Sequence, residues 1–255
     1  MRAPLAVLGA LLALGPGVAP MAAGSEAAPL VVHVRVEGKY ALLWEGDVAL
    51  GETFTLVAAN SGRAHTLPAR TPLGALWAAA QQGGFALEVS DGYSDFVALR
   101  VAGEYWWGTW WWDYRVDWVQ TNYGAQAQWL AWGPALRDGA SVLWYPETAG
   151  STPLRLTAVG PALGAGPCAR AQLVEAPLLD PLHQPGQPWP ELTWRPAQLA
   201  RLRTHDGSEA PVALGAGVAL VEAPGWVWAD DLPLPGPAAW HYVRSPRSWL
   251  PCPDA

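Results

Sequence analysis

Residues 110–118 read Trp-Trp-Trp-Asp-Tyr-Arg-Val-Asp-Trp. With a period of two, Trp110, Trp112, Tyr114, Val116 and Trp118 take one side. Trp111, Asp113, Arg115 and Asp117 take the other. A large apolar set against a mostly charged set predicts a half-buried β-strand, its charges facing outward. The same alternation recurs upstream. Val32, Val34 and Val36 share one side of residues 31–36, and Val31, His33 and Arg35 share the other, which predicts another strand. Glu37, Gly38 and Lys39 then turn the chain into a second strand at residues 40–43. Further strands are expected at 54–58, 85–89, 96–101, 127–132 and 141–145, with Asn60-Ser61-Gly62, Asp91-Gly92 and Arg137-Asp138-Gly139 as turns.

One helix interrupts this pattern. Thr71 caps it, and Pro72 sits at the first helical position, where a missing N–H costs nothing. Leu73, Leu76, Trp77 and Ala80 form one apolar stripe, and Gly83-Gly84 ends it. Residues 147–153 read as a linker. Beyond it come short strand candidates at 154–159, 169–174, 199–204, 217–221 and 226–229, separated by turn-rich stretches such as 181–190. Regularly spaced short strands without a helix predict a sandwich. The expected fold class is α+β followed by β.

Composition bounds the function. The chain has 255 residues, 51% of them hydrophobic and 15% charged, enough apolar surface for a core. It carries 15 basic and 22 acidic residues, net −7, and Lys39 is the one lysine. With no basic stripe to neutralise phosphates, nucleic acid is not an expected partner. Arg2, an apolar run over residues 3–14, the breakers Gly15-Pro16-Gly17 and small residues through Ala28 describe a secretory signal, taken as residues 1–24. The run is shorter than a membrane span, so no stable span is expected. The alternative is an uncleaved N-terminal anchor. The expected location is secreted, at the cell surface or in the periplasm. In that compartment the even count of two cysteines predicts a Cys168–Cys252 disulfide, worth up to about 4–5 kcal/mol by loop closure.

Four stretches carry a resemblance: VHVRVEG (32–38), TPLGAL (71–76), DGYSDFVALRVAG (91–103) and LRDGASVLWYP (136–146). Their order resembles the transcobalamin-like C-terminal β-grasp family, a domain of exported bacterial proteins. The resemblance implies a β-grasp domain over residues 30–146. It departs at residues 115–118, where the family has a tight Asn-Gly turn, and at Ala140, which replaces an Asp. The family's vertebrate carriers hold cobalamin between this domain and an α-helical barrel, which this sequence does not encode. Cobalamin therefore enters only through the resemblance, and the residues themselves call for no cofactor. ARLRTHDG (200–207) and GVALVEAPGWVWA (217–229) loosely resemble bacterial immunoglobulin-like modules, which implies an immunoglobulin-like sandwich over 154–255.

Motifs for chemistry are sparse. GxSxG, HExxH, P-loop and EF-hand patterns do not occur, and GAGPCA (164–169) is a turn, not a dinucleotide loop, because proline follows its second glycine. No two of the five histidines sit at ligand spacing. Asp91, Asp95, Asp113 and Asp117 lie beside aromatic residues, as glycosidase carboxylates do, but a turn and an outward strand face explain them without catalysis.

Tryptophan is the outlier, with 17 copies. Trp110, Trp112, Trp118 and Trp144 are expected inside by alternation, and Trp77 by the helix stripe. Tyr105, Trp106 and Trp107 are expected in a loop, and Trp111 on the outward face. Exposed aromatic clusters mark contact surfaces. These four, with Glu104 and Asp113 as hydrogen-bond acceptors, form the candidate site for a planar or sugar-like ligand. The expected function is a non-enzymatic binding module whose partner is a small molecule or a cell-surface component. The alternative is a structural or adhesive cell-surface protein that uses the same aromatics for protein contacts.

Overall fold

The computed structural model describes residues 29–39, 41–92, 96–105, 111–120, 136–147, 152–161, 170–177, 191–197, 200–204, 207, 209–211, 218–221, 225–231, 242–246 and 248–250. The expected signal segment, the strand expected at 127–132, Trp106, Trp107, Trp110, Cys168 and Cys252 lie outside these residues, as does the Trp111 side chain. The described chain is a β-rich α+β fold with several small sheets and a single helix among these residues.

The first part runs β1 (Leu30–Glu37), β2 (Leu42–Leu50), β3 (Thr53–Val57), β4 (Ala64–Pro68), α1 (Pro72–Gly83), β5 (Leu87–Ser90), β6 (Val97–Val101), β7 (Glu104–Tyr105), β8 (Trp111–Val116), β9 (Val119–Gln120) and β10 (Ser141–Glu147). A five-stranded sheet has the order β2-β1-β10-β8-β9. β1 and β10 run parallel, and the other neighbours are antiparallel. Two smaller sheets, β3-β4 and β5-β6-β7, complete this part.

The second part runs β11 (Thr152–Pro153), β12 (Arg155–Pro161), β13 (Arg170–Pro177), β14 (Trp194–Pro196), β15 (Ala200–Thr204), β16 (Glu209–Pro211), β17 (Val218–Val221), β18 (Gly225–Asp231), β19 (Tyr242–Val243) and β20 (Ser248–Leu250). β13 pairs with β12, β14 and β17, while another sheet has the order β16-β15-β18-β20. β11 pairs in parallel with β19.

The five-stranded sheet has two chemically different faces, and their side chains come in adjacent cross-strand rows. Trp44, Val36, Trp144 and Tyr114 form one row by register. Val32, Val34 and Val36 have no exposed surface, and they pack with Trp112, Tyr114, Val116 and Trp144 against Leu73, Leu76 and Ala79 of α1. Trp144 Nε1 donates to Pro72 O at 3.1 Å, which satisfies the one polar atom of that buried ring. Thr71 caps α1 as expected, its Oγ1 accepting from Gly74 N at 3.0 Å. Gly84 closes the helix in the left-handed conformation, with φ 66°. Gly74 is fixed by a close approach: a Cβ there would lie 2.1 Å from Ala69 O.

The next row reads Glu45, Arg35, Leu143 and Arg115. It belongs to the other face, which the sequence assigns to solvent on β8. The structure corrects that assignment, because Arg115 is only 1% exposed. Its Nε donates to Tyr145 Oη at 3.2 Å and its Nη1 to Trp118 O at 3.2 Å. Leu143 and Tyr145 form a small second buried cluster on this face.

Trp118 is corrected too. β8 ends at Val116, and Asp117 and Trp118 adopt left-handed φ values of 47° and 72°. The alternation therefore stops before Trp118, whose half-buried ring meets Trp194 edge-on at 5.5 Å. The Arg155 guanidinium lies 4.0 Å from the centre of the Trp194 ring. Asp117, expected to face solvent, instead ties the strand ends together, accepting from Ser141 N and from Arg137, each at 3.0 Å. Tyr105 is not in a loop. Ala102 and Gly103, with φ 51° and 86°, form a tight turn that returns the chain as β7 against β6.

Candidate functional site

The expected aromatic site is partly described. Tyr105 is 49% exposed, and the Arg100 guanidinium lies 5.1 Å from its ring centre. Arg100 also pairs with Glu88 at 3.0 Å. Glu104 accepts from Lys39 N at 2.7 Å and packs over Gly38, so it anchors the β1–β2 turn. Asp113 accepts from Tyr114 N at 2.7 Å and from Tyr145 Oη at 3.4 Å. Both acids thus hold backbone or neighbouring side chains, and they sit in different sheets. The Trp111 backbone pairs with Glu147 at the start of β8.

A second cluster joins the β3–β4 turn to the segment after β5. Ser61 Oγ donates to Asp91 Oδ2 at 2.7 Å, and His65 Nε2 shares the same oxygen at 2.8 Å. The Ser61 hydrogen bond holds the Asp91 carboxyl below its ordinary value, with His65 and Asn60 helping. Serine and imidazole both bind the carboxylate rather than each other, so no base activates the hydroxyl. This is a clasp between two turns. Among the described residues no group of three or more His, Cys, Asp or Glu side chains is placed to hold a metal ion.

The site with the most concentrated chemistry lies on the charged face of the sheet. A cleft of about 180 Å³ is lined by Arg35 and Glu37 of β1, Ala41, Leu42 of β2, Arg203 of β15, Trp228 and Asp230 of β18, and Arg244 and Ser245. Alternation along β1 puts Arg35 and Glu37 on the side opposite the three valines. They are nonetheless 5% and 1% exposed. A buried charge persists only when paired and hydrogen-bonded, and here each one is. Glu37 is bound by Arg35 and held by Arg244, whose Nε donates at 2.8 Å. Arg244 also donates to Gly38 O at 2.8 Å. Arg35 Nη1 donates to Arg244 O at 3.0 Å and Nη2 to Ser245 O at 2.6 Å.

The segment 244–246 is itself fixed to β18. Ser245 N donates to Ala229 O at 2.9 Å, and Ala229 N donates to Ser245 Oγ at 2.8 Å. The opposite wall follows from strand register: Arg203 faces Trp228, and Arg201 faces Asp230. Arg203 Nε and Nη2 donate to Glu209 at 3.0 and 2.8 Å. These bonds, Arg203 foremost, hold the Glu209 carboxyl below its ordinary value. Arg203 Nη1 stands 3.7 Å from Asp230, beyond hydrogen-bond length.

Arg35 Nε is buried and has no hydrogen-bond partner among the described residues; Glu45 Oε1 is 4.0 Å away. Burial pushes the Arg35 guanidinium down from its ordinary value, against the pull of Glu37 and Glu45. It remains a cation, as arginine does in proteins. The site therefore offers a fixed cation with an unused donor, a second cation with a loosely engaged nitrogen, and an indole. Among the described residues it contains no nucleophile paired with a base. Sequence reasoning does not reach this site. The one local signal is the Arg35-x-Glu37 spacing, which places both charges on one face; Arg203, Trp228, Asp230 and Arg244 come from segments far along the chain.

No family model matches the chain, and no curated protein matches it in sequence.

Proposed function

We propose that this chain is an exported, non-enzymatic binding protein that takes its ligand in the cleft between β1–β2 and β15–β18. The observation that carries the reading is the cleft itself, formed by both parts of the chain and lined by Arg35, whose buried Nε–H has no acceptor among the described residues. Clefts of this kind, with a few convergent polar groups, are the common form of small-molecule site. Two finer assignments belong to the same reading. The first part is a transcobalamin-like β-grasp domain; its parallel β1–β10 pair and the helix packed on the sheet support this. The second part is an immunoglobulin-like sandwich, supported by its short antiparallel strands.

The volume argues about the ligand. It falls below the ~300–1,000 Å³ typical of sites that enclose drug-sized molecules, so a corrinoid does not fit the cleft. Cobalamin, if bound, takes the Tyr105–Trp111 end instead. The adhesive reading keeps one observation in its favour: Tyr105 and Trp226 are large, half-exposed aromatics.

The test is calorimetric titration of the exported protein with small organic anions, cobinamide, cobalamin and oligosaccharides. One-to-one saturation by a small anion supports the cleft, and saturation by cobinamide or a sugar moves the site to Tyr105. Silence throughout at millimolar concentration, where binding of ~−4 kcal/mol still registers, gives the case to adhesion.

A further inference from the structure

We infer that the ligand of the cleft is a small monocarboxylate carrying a flat or short apolar body. The inference rests on the binding reading above and narrows its chemistry. The lining side chains set the charge. Among the described lining residues Arg35, Arg203 and Arg244 stand with Glu37 and Asp230, while Glu209 holds Arg203 from behind and Glu45 lies 4.0 Å from Arg35 Nε. Glu37 is saturated by two guanidiniums and is not available to a ligand cation. Three guanidiniums repel an ammonium group. Glu37 and Asp230 repel a second negative charge, which disfavours a phosphate dianion. A single carboxylate meets the three lining guanidiniums with less repulsion than a dianion.

Donor geometry points the same way. Carboxylate oxygens take strong hydrogen bonds from guanidinium N–H groups. Arg35 Nε carries a hydrogen with no acceptor among the described residues, and it is fixed because Nη1 and Nη2 are bound to Arg244 O, Ser245 O and Glu37. Arg203 is held through Nε and Nη2 by Glu209, which leaves Nη1, 3.7 Å from Asp230, as its least engaged nitrogen. Donors fixed before binding lose little entropy when the ligand arrives. Trp228, Leu42 and Ala41 add apolar lining for the rest of the molecule. The cleft's 180 Å³ restricts that body to a single ring or a short chain.

The experiment titrates the full exported chain with three matched probes, benzoate, benzamide and benzylamine, by calorimetry. Benzoate is expected to saturate one site, with benzamide and benzylamine at least about tenfold weaker, the scale of one charge-assisted hydrogen bond. Arg203→Gln, at a partly exposed position, is expected to weaken benzoate about tenfold with little change in benzamide. Arg35→Lys removes the unused Nε donor in the same way; should that variant fail to fold, Arg203→Gln alone decides. If benzamide or benzylamine binds as tightly as benzoate, and Arg203→Gln weakens all alike, the cleft reading survives and the carboxylate assignment is overturned. If benzoate binds equally to Arg203→Gln and wild type, the assignment to this cleft is overturned. If none of the three binds at millimolar concentration, the proposal fails, and the broader titration with other anions then tells whether the cleft reading fails with it.

Discussion

Along β1, Val34 and Arg35 are neighbours in sequence, and both are buried, on opposite faces of one sheet. Val34 lies among the aliphatic residues of α1 and the aromatic rings of β8 and β10. Arg35 lies against two backbone carbonyls at residues 244 and 245, about 210 positions along the chain. The apolar face gains free energy from any apolar cover, because the hydrophobic effect is non-directional. The charged face gains only if acceptors and counter-ions stand at hydrogen-bond length, since an unpaired buried charge is costly. One face is therefore tolerant in what covers it, and the other specifies its cover atom by atom.

Substitutions on the two faces test this contrast directly. On the apolar face, Trp112→Ala is expected to cost about 3–5 kcal/mol, the range for deleting a large buried aromatic, read by denaturant unfolding. On the charged face, Glu37→Ala strands two guanidiniums and is expected to cost about 3–5 kcal/mol as well. The comparison sharpens when the whole charged group is replaced. Arg35→Met, Glu37→Met and Arg244→Met together should recover most of that loss, because no uncompensated charge remains. If the triple variant is no more stable than Glu37→Ala, the charges contribute more than mutual compensation and the contrast between the faces fails.

Truncation after residue 150 isolates the first part. Among the described residues, those of its apolar core all lie within 30–146, so the fragment is expected to unfold cooperatively. There Arg35 and Glu37 regain water, and Glu37→Ala should cost under about 1 kcal/mol, as an exposed pair does. Loss of cooperative unfolding in the fragment would show that the charged cover is needed for folding itself.

Two smaller effects lie at the margins of the faces. Thr71→Ala removes the cap of α1, at an expected cost of about 1 kcal/mol. On the charged face, His33 bridges Asp47 at 2.8 Å and Glu45 at 3.3 Å. Its hydrogen bond to Glu45 raises the imidazole above its ordinary value of 6.5, burial opposing and Asp47 assisting. The protonated form is thus favoured in the folded state. Its stabilisation is fully present below about pH 6.5 and is lost as the pH rises through the raised value. Because the ring is partly exposed, the change is expected to be only about 0.5 kcal/mol. His33→Gln should flatten that part of the stability–pH curve; an unchanged slope would assign it elsewhere.

Local patterns carry much of the architecture. The strand at β1 is legible from Val32, Val34 and Val36, and the strand at β8 from Trp112, Tyr114 and Val116. Thr71-Pro72 and Gly83-Gly84 mark both ends of α1. Period and capping are written in residues a few positions apart, so they survive without tertiary information. The pattern at 40–43 understates β2, because its charges Glu45 and Asp47 hide the continuation to Leu50. β7 leaves no trace in the pattern, since two residues carry no period.

By itself, then, the sequence determined which side chains share a face: Arg35 with Glu37, Trp112 with Tyr114. That follows from the two-residue repeat of any extended chain. Tertiary structure alone decided which faces meet water. Arg115 reads as a solvated charge and is buried beside Tyr145; Trp118 reads as core and instead meets Trp194 through a left-handed turn. The cleft was out of reach for the same reason. Its walls join residues 35–42 to residues 203–245, and contacts over such separations are set by how whole sheets dock, not by any pattern within a strand.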